Sequence, residues 1–580
     1  MSASPLLSAL AVLVVGFARG TLVVKNTGLG AIRCNMLTTG VVECLGLPFA
    51  APPVGPLRFA PTVDATARLD HSGPFDATAF GASCPQAAGQ IPDPNGTSES
   101  CLTLNVWSPA APHEAREAPP AAPVMHWIYG GGFMQGGSAS FNGSALAAKH
   151  NVVVVSSNYR LGVLGFAALR EHADANETTG NWGFLDQQSA LRWVQRNIAM
   201  GFGGDPQLVT IFGQSAGAAS VDAHLLAPSS NGLFKRAILE SGGLDGLVNL
   251  PWALGTGDGV ASRLGCGNYS AGKSQRLACM RNASVEQILS SAGGGDMGNP
   301  VIACAFGPPS DCTNFNLAAD GVVFDGSAWD LTARRHPLAV NQEADVLLGT
   351  NTNDGSLFAI GYFETLNASE YTKLVRAVVS KNQRLKGNNN PTVAQLNRAL
   401  ALYPPAPEVG VPVANVTAAN LATLSSMLTD SQFVCGSKLI ADGLATTPTR
   451  RVFQYRYNYN ATWTGFCYSS WSADYGITHT AELSMVFGLP TYVFGPTTSA
   501  LPPCTFNVED ALMAQLVGEL WTSFARDGVP KAPSAVFAKA GGWPQWNVTG
   551  QQLVIDQQQL VAETAWRAEQ CAHWNERVSL

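Results

Sequence analysis

Short apolar runs alternate along the chain with segments of helical spacing. The runs, which predict buried strands, lie at 124–128, 152–156, 208–212, 236–239, 345–348 and 452–457. The helical segments lie at 186–198, 216–226 and 508–527. Because strands that alternate with helices usually pair in parallel, this pattern predicts an α/β fold, with a large, mostly parallel sheet covered by helices on both faces. No internal repeat and no linker between independent domains is visible in the pattern.

The N-terminus has the layout of a signal peptide. The apolar run from Leu6 to Phe17 is too short to span a bilayer, and small residues at Ala18 and Gly20 suit cleavage by a signal peptidase. The absence of Lys and Arg before the run is atypical, and a buried first strand or helix is the alternative. We therefore predict a signal peptide at 1–20 and a single domain at 21–580.

The composition fits a large globular protein from an oxidising compartment. Apolar residues make up 46% of the chain and charged residues 13%. Twelve cysteines form an even set that suits disulfide bonds, and neither Cys-x-x-Cys nor a Cys/His cluster with metal-ligand spacing occurs. Surface glycosylation is predicted by Asn-x-Ser/Thr acceptors at Asn95, Asn142, Asn176, Asn268, Asn282, Asn367, Asn415, Asn460 and Asn547.

The sequence Gly-Gln-Ser-Ala-Gly at 213–217 lies between a predicted strand and a predicted helix. This is the context of a nucleophile elbow, in which Ser215 projects its hydroxyl at the top of the sheet near a helix N-terminus. The turn is so tight that side chains at Gly213 and Gly217 would clash. The alternative is a structural serine in one more glycine-rich loop, because the five-residue pattern alone is weak.

A nucleophilic serine needs a histidine base and an acid, which in this architecture follow it in the order acid, then histidine. His479 follows a glycine turn and precedes an apolar run, so it suits a loop above the sheet. His573 lies beside a tryptophan in the last helical segment, where packing is the simpler role, and His336 precedes any attractive acid. Asp354 follows a strand end, although Asn-Asp-Gly is also an ordinary turn sequence.

A glycine-rich loop follows the predicted strand at 124–128. Backbone N–H groups of Gly131 and Gly132, together with that of Ala216, can converge on one oxygen as an oxyanion hole. Glycine also lets a substrate approach the backbone closely. A flexible loop without a function is the alternative, which the position after a strand disfavours.

With these residues in hand, the chain resembles the type-B carboxylesterases, a family of α/β-hydrolases that includes cholinesterases and some secreted lipases. The resemblance covers nearly everything after residue 20. It is carried by the segments ESCLTLNVWSP, WIYGGGF, SNYRLGVLGF, GNWGFLDQQSALRWVQRNIAMGFGGDP and GITHTAELSMVFG. It implies an α/β-hydrolase fold with long insertions. It also implies a catalytic triad of Ser215, Asp354 and His479, with Ser241 as a partner of the triad. The oxyanion hole would be formed by Gly131, Gly132 and Ala216.

Three departures from the family pattern bear on the substrate. Asp354 stands where many relatives carry Glu, so the loop must compensate for a shorter side chain. Gln214 stands where cholinesterases carry Glu, which removes a carboxylate near the alcohol end of the substrate. The loop between Cys84 and Cys101 has no tryptophan to bind a quaternary ammonium group. A choline ester is therefore a poor candidate, and neutral, apolar esters are favoured.

Aromatic residues near the predicted site suggest an apolar pocket. Trp252 follows the Ser241 segment, where the resemblance implies an aromatic wall against the acyl group. Phe133, next to the oxyanion glycines, and Phe487, after His479, add apolar surface nearby in the sequence. Ordinary core packing is the alternative for Trp252.

The resemblance also implies covalent and ionic links. It supports the disulfide pairs Cys84–Cys101, Cys266–Cys279 and Cys435–Cys571, and the ion pairs Arg58–Glu99 and Arg160–Asp186. Proximity in the sequence then suggests the pairs Cys34–Cys44, Cys304–Cys312 and Cys467–Cys504.

Taken together, the sequence predicts a secreted serine esterase that needs no cofactor and acts on a small-molecule ester. A net charge of −7 disfavours nucleic-acid binding, and no further stretch is long and apolar enough to anchor the chain in a membrane. A lipase acting on acylglycerols is a near variant, and a non-enzymatic adhesion protein of the same family is the alternative from another class. The physiological ester and the oligomeric state stay open.

Overall fold

The structure, a computed structural model, describes most of the chain after the N-terminus. The described residues are 19–69, 73–86, 96–110, 120–242, 247–269, 275–292, 315–327, 330–331, 343–360, 363, 365–385, 390–407, 412–461, 476–489, 505–532, 542–556, 560–564 and 566–576. The first strand begins at Arg19, before the cleavage point predicted after Gly20. No helix among these residues is both long and apolar enough to span a membrane.

The strands are numbered β1 to β15 in chain order. They are Arg19–Thr27, Gly30–Leu37, Val41–Pro48, Phe75–Asp76, Thr103–Pro109, Ala122–Ile128, Val153–Ser157, Gly204–Gln214, Arg236–Glu240, Leu247–Asn249, Leu317–Ala319, Asp345–Asn351, Val452–Tyr457, Gln552–Ile555 and Leu560–Glu563. All six strands predicted from apolar runs are present, as β6, β7, β8, β9, β12 and β13.

The helices are numbered α1 to α16 in the same way. They are Ser144–His150, Gly162–Phe166, Arg170–Asp174, Trp182–Asn197, Ala216–Leu226, Leu250–Arg263, Gln275–Asn282, Val285–Ser290, Ala368–Leu385, Val393–Leu402, Val413–Leu428, Cys435–Leu444, Leu483–Phe487, Val508–Asp527, Trp546–Thr549 and Ala568–Trp574. A π-helical segment at Thr429–Val434 joins α11 to α12. The three predicted helices correspond to α4, α5 and α14.

One large sheet forms the centre of the described chain. Its thirteen strands lie in the order β1-β2-β3-β5-β7-β6-β8-β9-β12-β13-β14-β15, with β4 beside β2. The strands from β7 to β14 in this order pair in parallel, whereas β1, β2, β3 and β5 at one end and β15 at the other pair antiparallel. The predicted mostly parallel α/β sheet is thus confirmed, and the antiparallel strands at both ends are additions that the apolar pattern did not reveal.

The central strands are covered on both faces. Every residue of β6, β7, β9 and β12 is buried. Because successive side chains of a strand point to opposite faces, a strand that is buried throughout must be packed on both sides. The carboxyl ends of these parallel strands consequently lie at one rigid edge, where loops can present side chains in fixed positions.

The long helix α14 shows how the sequence sets the bounds of an element. The side chain of Asn507 accepts a hydrogen bond from the N–H of Asp510, and the Asp510 side chain accepts one from the N–H of Asn507. Gly528 ends the helix with φ 70°, a conformation that glycine adopts without a steric penalty. Between these two caps the helix places Trp521 in the core, against the sheet.

Four disulfide bonds lie within the described chain. They confirm the predicted pairs Cys34–Cys44, Cys84–Cys101, Cys266–Cys279 and Cys435–Cys571. The pairs predicted for Cys304–Cys312 and Cys467–Cys504 lie outside the described residues. The Cys435–Cys571 bond joins the start of α12 to α16, and both cysteines belong to a second apolar cluster built mainly by α9, α10 and α11.

Both predicted ion pairs form. Arg58 donates to Glu99 through two nitrogens, at 2.7 and 2.6 Å. Arg160 donates to both carboxylate oxygens of Asp186 at 2.8 Å, and the two side chains are only 3% and 0% exposed. The backbone N–H of Arg160 and the hydroxyl of Thr62 complete the hydrogen bonds of the Asp186 carboxylate.

Replacing Asp186 with alanine is expected to lower the free energy of unfolding by about 3–5 kcal/mol, because it leaves the guanidinium of Arg160 buried and unpaired. The matched control is Asp76→Ala, which removes a pair with Arg33 whose side chains are 61% and 42% exposed, and which should cost about 0–1 kcal/mol. Chemical unfolding of both variants gives the comparison. Equal losses for the two would contradict the expectation.

Most of the predicted glycosylation acceptors lie at the surface. Asn176, Asn268, Asn282, Asn367, Asn415 and Asn460 are exposed, whereas Asn142 and Asn547 are half-buried. The Asn547 amide also donates to the Arg450 carbonyl at 3.1 Å, which makes it a poorer acceptor for a glycan. Asn95 lies outside the described residues. The use of these acceptors stays a prediction.

Candidate active site

The strand-turn-helix around Ser215 has the tight geometry expected of a nucleophile elbow. Strand β8 ends at Gln214 and helix α5 begins at Ala216. A Cβ built on Gly217 would lie 2.0 Å from the carbonyl oxygen of Ile128, and one on Gly213 would lie 2.7 Å from the same oxygen. Neither distance is tolerable between carbon and oxygen, so the predicted steric reason for both glycines is confirmed.

Ser215 itself has a strained backbone. Its φ of 58° and ψ of −125° lie where a residue with a Cβ is rarely found, at a cost on the order of 1–3 kcal/mol. The N–H of Ser215 donates to the Glu240 carbonyl at 2.9 Å, which ties the turn to the end of β9. Ser215 is half-buried, while Gln214 and Ala216 on either side are buried. The strained turn therefore presents the serine and hides its neighbours.

Asp354 and His479 form a close pair at the carboxyl end of the sheet. Asp354 follows β12, and its Oδ1 lies 2.9 Å from Nδ1 of His479. The other oxygen, Oδ2, accepts from the N–H of Asn351 at 2.7 Å and from Oγ of Ser241 at 2.9 Å. Ser241 therefore contacts the acid, as the family resemblance implied, and the shorter aspartate side chain still reaches the imidazole.

The imidazole of His479 is held from several sides. The amide nitrogen of Gln214 lies 3.1 Å from its Nε2 and 3.3 Å from its Nδ1. The rings of Phe433 and Phe358 pack against it with centroid separations of 4.7 and 5.2 Å. Phe433 belongs to the π-helical segment, so this interruption of the helix brings an aromatic ring onto the imidazole. Sequence reasoning missed both phenylalanines, because neither has a local pattern that points to the site.

The glycine loop after β6 adjoins the turn at Ser215. A Cβ on Gly130 would lie 2.9 Å from Cβ of Ser215. Gly131 and Gly132 have φ values of 111° and 62°, which are available to glycine. No residue in the described part of the chain accepts a hydrogen bond from the N–H of Gly131, Gly132 or Ala216. Their role as oxyanion donors stays a prediction.

Two buried glutamates lie behind the Asp354–His479 pair, and sequence reasoning did not single out either. Burial, together with the charge of Glu482, raises the pKa of Glu240 well above its usual range. Burial and the charge of Asp354 raise the pKa of Glu482 to about 8. Glu482 follows His479 by three residues, so its closeness to the site could have been predicted from the sequence. Its burial could not, because no local pattern indicates it.

The aromatic residues predicted for the pocket lie in different environments. Phe133 is buried and packs against Phe166 at 4.9 Å. Phe487 is buried in the core, where its ring contacts that of Trp127 at 5.0 Å. Trp252, in α6, is half-buried and packs on a small apolar cluster formed by Ala168, Val248, Ala253, Leu254 and Ala318. The apolar surface suggested for Phe487 is therefore core packing, and the roles of Phe133 and Trp252 in substrate contact stay predictions.

Comparison with known proteins defines the class. The profile of the Carboxylesterase family matches residues 23–574. Acetylcholinesterase of Bungarus fasciatus is 30% identical over 575 residues, which cover 95% of this chain and 85% of the relative. Cholinesterase of Mus musculus is 30% identical over 559 residues, covering 92% of this chain and 83% of the relative. The chain belongs to the carboxylesterase family and has its α/β-hydrolase fold.

Within that family the protein is a carboxylic ester hydrolase of the cholinesterase-like type. Its substrate is consequently a small-molecule ester. The family and both relatives support an enzyme over the alternative of a non-enzymatic adhesion protein.

Proposed function

We propose that this protein is a secreted serine esterase that hydrolyses neutral, largely apolar esters through Ser215, His479 and Asp354. The observation that carries the proposal is the Asp354–His479 contact of 2.9 Å beside a strained, half-exposed serine. Nothing in this arrangement requires a cofactor, since nucleophile, base and acid all come from side chains.

The proposed acylation of the enzyme uses these groups in order. Oγ of Ser215 attacks the carbonyl carbon of the ester, and Nε2 of His479 takes its proton. Asp354 accepts a hydrogen bond from Nδ1–H, which fixes the tautomer and stabilises the imidazolium. The N–H groups of Gly131, Gly132 and Ala216 donate to the oxyanion of the tetrahedral intermediate. The C–O bond to the alcohol then breaks, and the alcohol leaves with the proton held by His479.

Deacylation repeats these steps with water. His479 takes a proton from water as the water oxygen attacks the acyl-enzyme carbonyl. Collapse of the second tetrahedral intermediate breaks the bond to Oγ and returns the proton to Ser215. The carboxylic acid leaves, and the enzyme regains its starting state.

Covalent labelling tests the proposal directly. A fluorophosphonate, whose phosphorus is attacked by an activated serine, should form one adduct per chain, and peptide mass spectrometry should locate it on Ser215. Labelling should fall when His479 is replaced with alanine, because the serine loses its base. An adduct on another serine, or none at all on active protein, would remove Ser215 from the mechanism.

Secretion is supported by several features together. Four disulfide bonds suit an oxidising compartment. Six exposed glycosylation acceptors suit passage through the secretory route. We propose that residues 1–20 are removed as a signal peptide and that 21–580 form the mature enzyme domain. N-terminal sequencing of protein recovered from the culture medium is the test, and a retained Met1 would contradict cleavage.

Gln214 supports a neutral rather than a cationic alcohol group. The two relatives are named as cholinesterases, but the residue before Ser215 carries no charge here, and it contacts His479 directly. Replacing Gln214 with Glu should move the acidic limb of kcat/KM to higher pH by about one unit, because a carboxylate at this distance stabilises the imidazolium, which cannot act as a base.

The same variant should improve hydrolysis of a choline ester relative to its uncharged 3,3-dimethylbutyl analogue. The measurement is kcat/KM for both esters between acidic and neutral pH, in wild type and in Gln214→Glu. An acidic limb that stays in place, or a wild type that already prefers the choline ester, would contradict this part of the proposal.

Trp252 is proposed to limit the length of the acyl chain. Each methylene that is well buried should add about 0.8 kcal/mol to binding in the transition state until the pocket is full. Truncating Trp252 to alanine should therefore shift the preferred acyl chain to greater length. A series of p-nitrophenyl esters measures how activity depends on acyl-chain length, and an unchanged dependence in the variant would place Trp252 in ordinary packing.

The same series distinguishes an esterase from a lipase. A wild-type optimum at long chains, with activity on emulsified acylglycerols, would favour a lipase.

A further inference from the structure

The strand register places polar side chains together behind the proposed triad. Gly349 of β12 lies opposite Glu240 of β9 and also opposite Tyr455 of β13. Directly opposed residues of neighbouring strands point to the same face, so Glu240 and Tyr455 share a face across Gly349. A Cβ on Gly349 would lie 2.4 Å from the Tyr455 ring, so only glycine lets this ring lie across the strand.

Two positions further along, the same face carries a second row. Asn351 lies opposite Tyr457, and its amide donates to Oε2 of Glu482 at the start of α13. We refer to Glu240, Asn351, Tyr455, Tyr457 and Glu482 as the buried acid cluster. All five side chains are 0% exposed.

Hydrogen bonds satisfy only part of the buried acid cluster. Trp521 Nε1 donates to Oε1 of Glu240 at 2.7 Å, and Asn351 satisfies one oxygen of Glu482. Among the described residues, no partner exists for the remaining polar atoms, which are Glu240 Oε2, Glu482 Oε1, Asn351 Oδ1, Tyr455 OH and Tyr457 OH. A buried polar group without a partner is destabilising, so a set of five calls for an explanation.

A single proton supplies the hydrogen-bond donor that these groups lack. With both glutamates ionised, the two tyrosine hydroxyls are the only donors among these five atoms, and three acceptors remain: Glu240 Oε2, Glu482 Oε1 and the Asn351 carbonyl oxygen. One proton on either glutamate supplies the third donor, since a protonated carboxyl donates through O–H.

The charges around the pair also favour the neutral form. Burial and the other glutamate raise the pKa of Glu240, while burial and Asp354 raise that of Glu482. Burial and the nearby carboxyls likewise raise the pKa of Tyr455, so it stays an uncharged donor. Burial raises the pKa of Tyr457 in the same way, and Glu482 and Asp510 add to the effect. No salt bridge with Lys or Arg reaches either glutamate within the described chain.

The buried acid cluster contacts the proposed triad at two points, and Ser241, next to the cluster, adds a third contact. The backbone carbonyl of Glu240 accepts from Ser215 N–H, and Ser241, the next residue, donates to Asp354. Asn351 donates to Asp354 through its backbone and to Glu482 through its side chain. These contacts connect the cluster to Asp354, the proposed acid that orients His479.

We propose that Glu240 and Glu482 together hold at least one proton at neutral pH, which limits the negative charge buried behind His479. Both glutamates are positioning residues, and the kinetic consequence rests on the proposed function of the triad. When Glu482 ionises, an added buried charge lies beside Asp354 without compensation. Asn351, which donates hydrogen bonds to both residues, then changes its position between them.

Infrared spectroscopy tests the proton without reference to activity. Wild-type protein at pH 7 should show a protonated-carboxyl stretching band that shifts in D2O and disappears as the pH rises. The band should lose intensity in Glu240→Gln and Glu482→Gln. The control is Glu43→Gln, since Glu43 is also buried and bound by a tryptophan indole and an asparagine amide, but both its oxygens have partners. That control should leave the band unchanged.

Kinetics test the link to the triad. An amide mimics the protonated acid, so kcat of Glu482→Gln at pH 7 should stay within about threefold of wild type, whereas wild-type kcat should fall above about pH 8 and the variant's should not. KM should change little.

The outcomes are distinguishable. The proposal is overturned if wild type shows no carboxyl band at pH 7, or if the band is unaffected in both variants, even if the variants fold poorly. If the band is present but kcat shows no alkaline difference, only the link to the triad is overturned. If Ser215→Ala is active, the triad is overturned but not the proton held by the two glutamates.

Discussion

Replacing Ser215 with alanine is expected to lower kcat on a neutral ester by about 10³-fold or more, because no acyl-enzyme can form. The half-exposed position of Ser215 means that the substitution removes a nucleophile and leaves the packing of the turn nearly intact. The remaining activity should reflect the oxyanion donors alone, since Gly131, Gly132 and Ala216 are untouched. The variant should keep its affinity for substrate.

Ser220 provides a matched control in α5, the helix that follows the turn at Ser215. Its hydroxyl binds the Gln187 amide at 3.0 Å and is buried away from the turn. Ser220→Ala should lower stability slightly and keep kcat near wild type. Turnover is measured on purified, folded protein, with far-ultraviolet circular dichroism as the check of folding. Near-wild-type turnover in Ser215→Ala would exclude Ser215 as the nucleophile.

Replacing Asp354 with asparagine is expected to lower kcat by about 10⁴-fold, the effect known for the corresponding change in serine proteases. The carboxylate accepts three hydrogen bonds, from His479, Ser241 and the N–H of Asn351. An amide group offers a single acceptor oxygen, so its NH2 group must face one or more of these donors. The imidazole then loses the orientation and tautomer that proton transfer requires.

The control for Asp354 is an aspartate that is just as strongly hydrogen-bonded elsewhere. Asp64 accepts from Arg192, Arg196 and Ser189 on α4, at distances between 2.6 and 3.0 Å. Asp64→Asn should reduce thermal stability and leave kcat unchanged. A loss of kcat in Asp354→Asn that merely follows a loss of folded protein, as judged by the same circular dichroism signal, would count against a role in catalysis.

Local features of the site could be predicted from the sequence. The strand at 208–212, the two glycines around Ser215 and the helix at 216–226 act over a few residues, and their geometry follows from steric exclusion. Chain order then selected His479 and Asp354, and the structure brings these two within hydrogen-bond distance. The disulfide pairs of the family followed from the resemblance, because spacing alone leaves too many pairings open.

Long-range features could not be predicted in this way. The antiparallel strands at both ends of the sheet depend on partners distant in the chain, and short strands such as β14 carry a weak periodic signal. Phe487 looked like pocket surface because a core phenylalanine and a pocket phenylalanine have the same local pattern. The contacts of Phe433 and Gln214 with His479 likewise exist only after distant segments have packed together.

The sequence by itself determined the class of sheet, the tight turn at Ser215 and the candidate triad, because these are encoded by apolar periodicity, by steric limits and by chain order. Only the tertiary structure decided which groups surround them. Glu240 lies in β9 and Glu482 at the start of α13, far apart in the chain. The parallel register of β9 and β12 and the hydrogen bond from Asn351 of β12 to Glu482 bring them to the same buried region. Burial removes water from a carboxyl and so raises its pKa, and which residues are buried together is decided by the packing of distant segments.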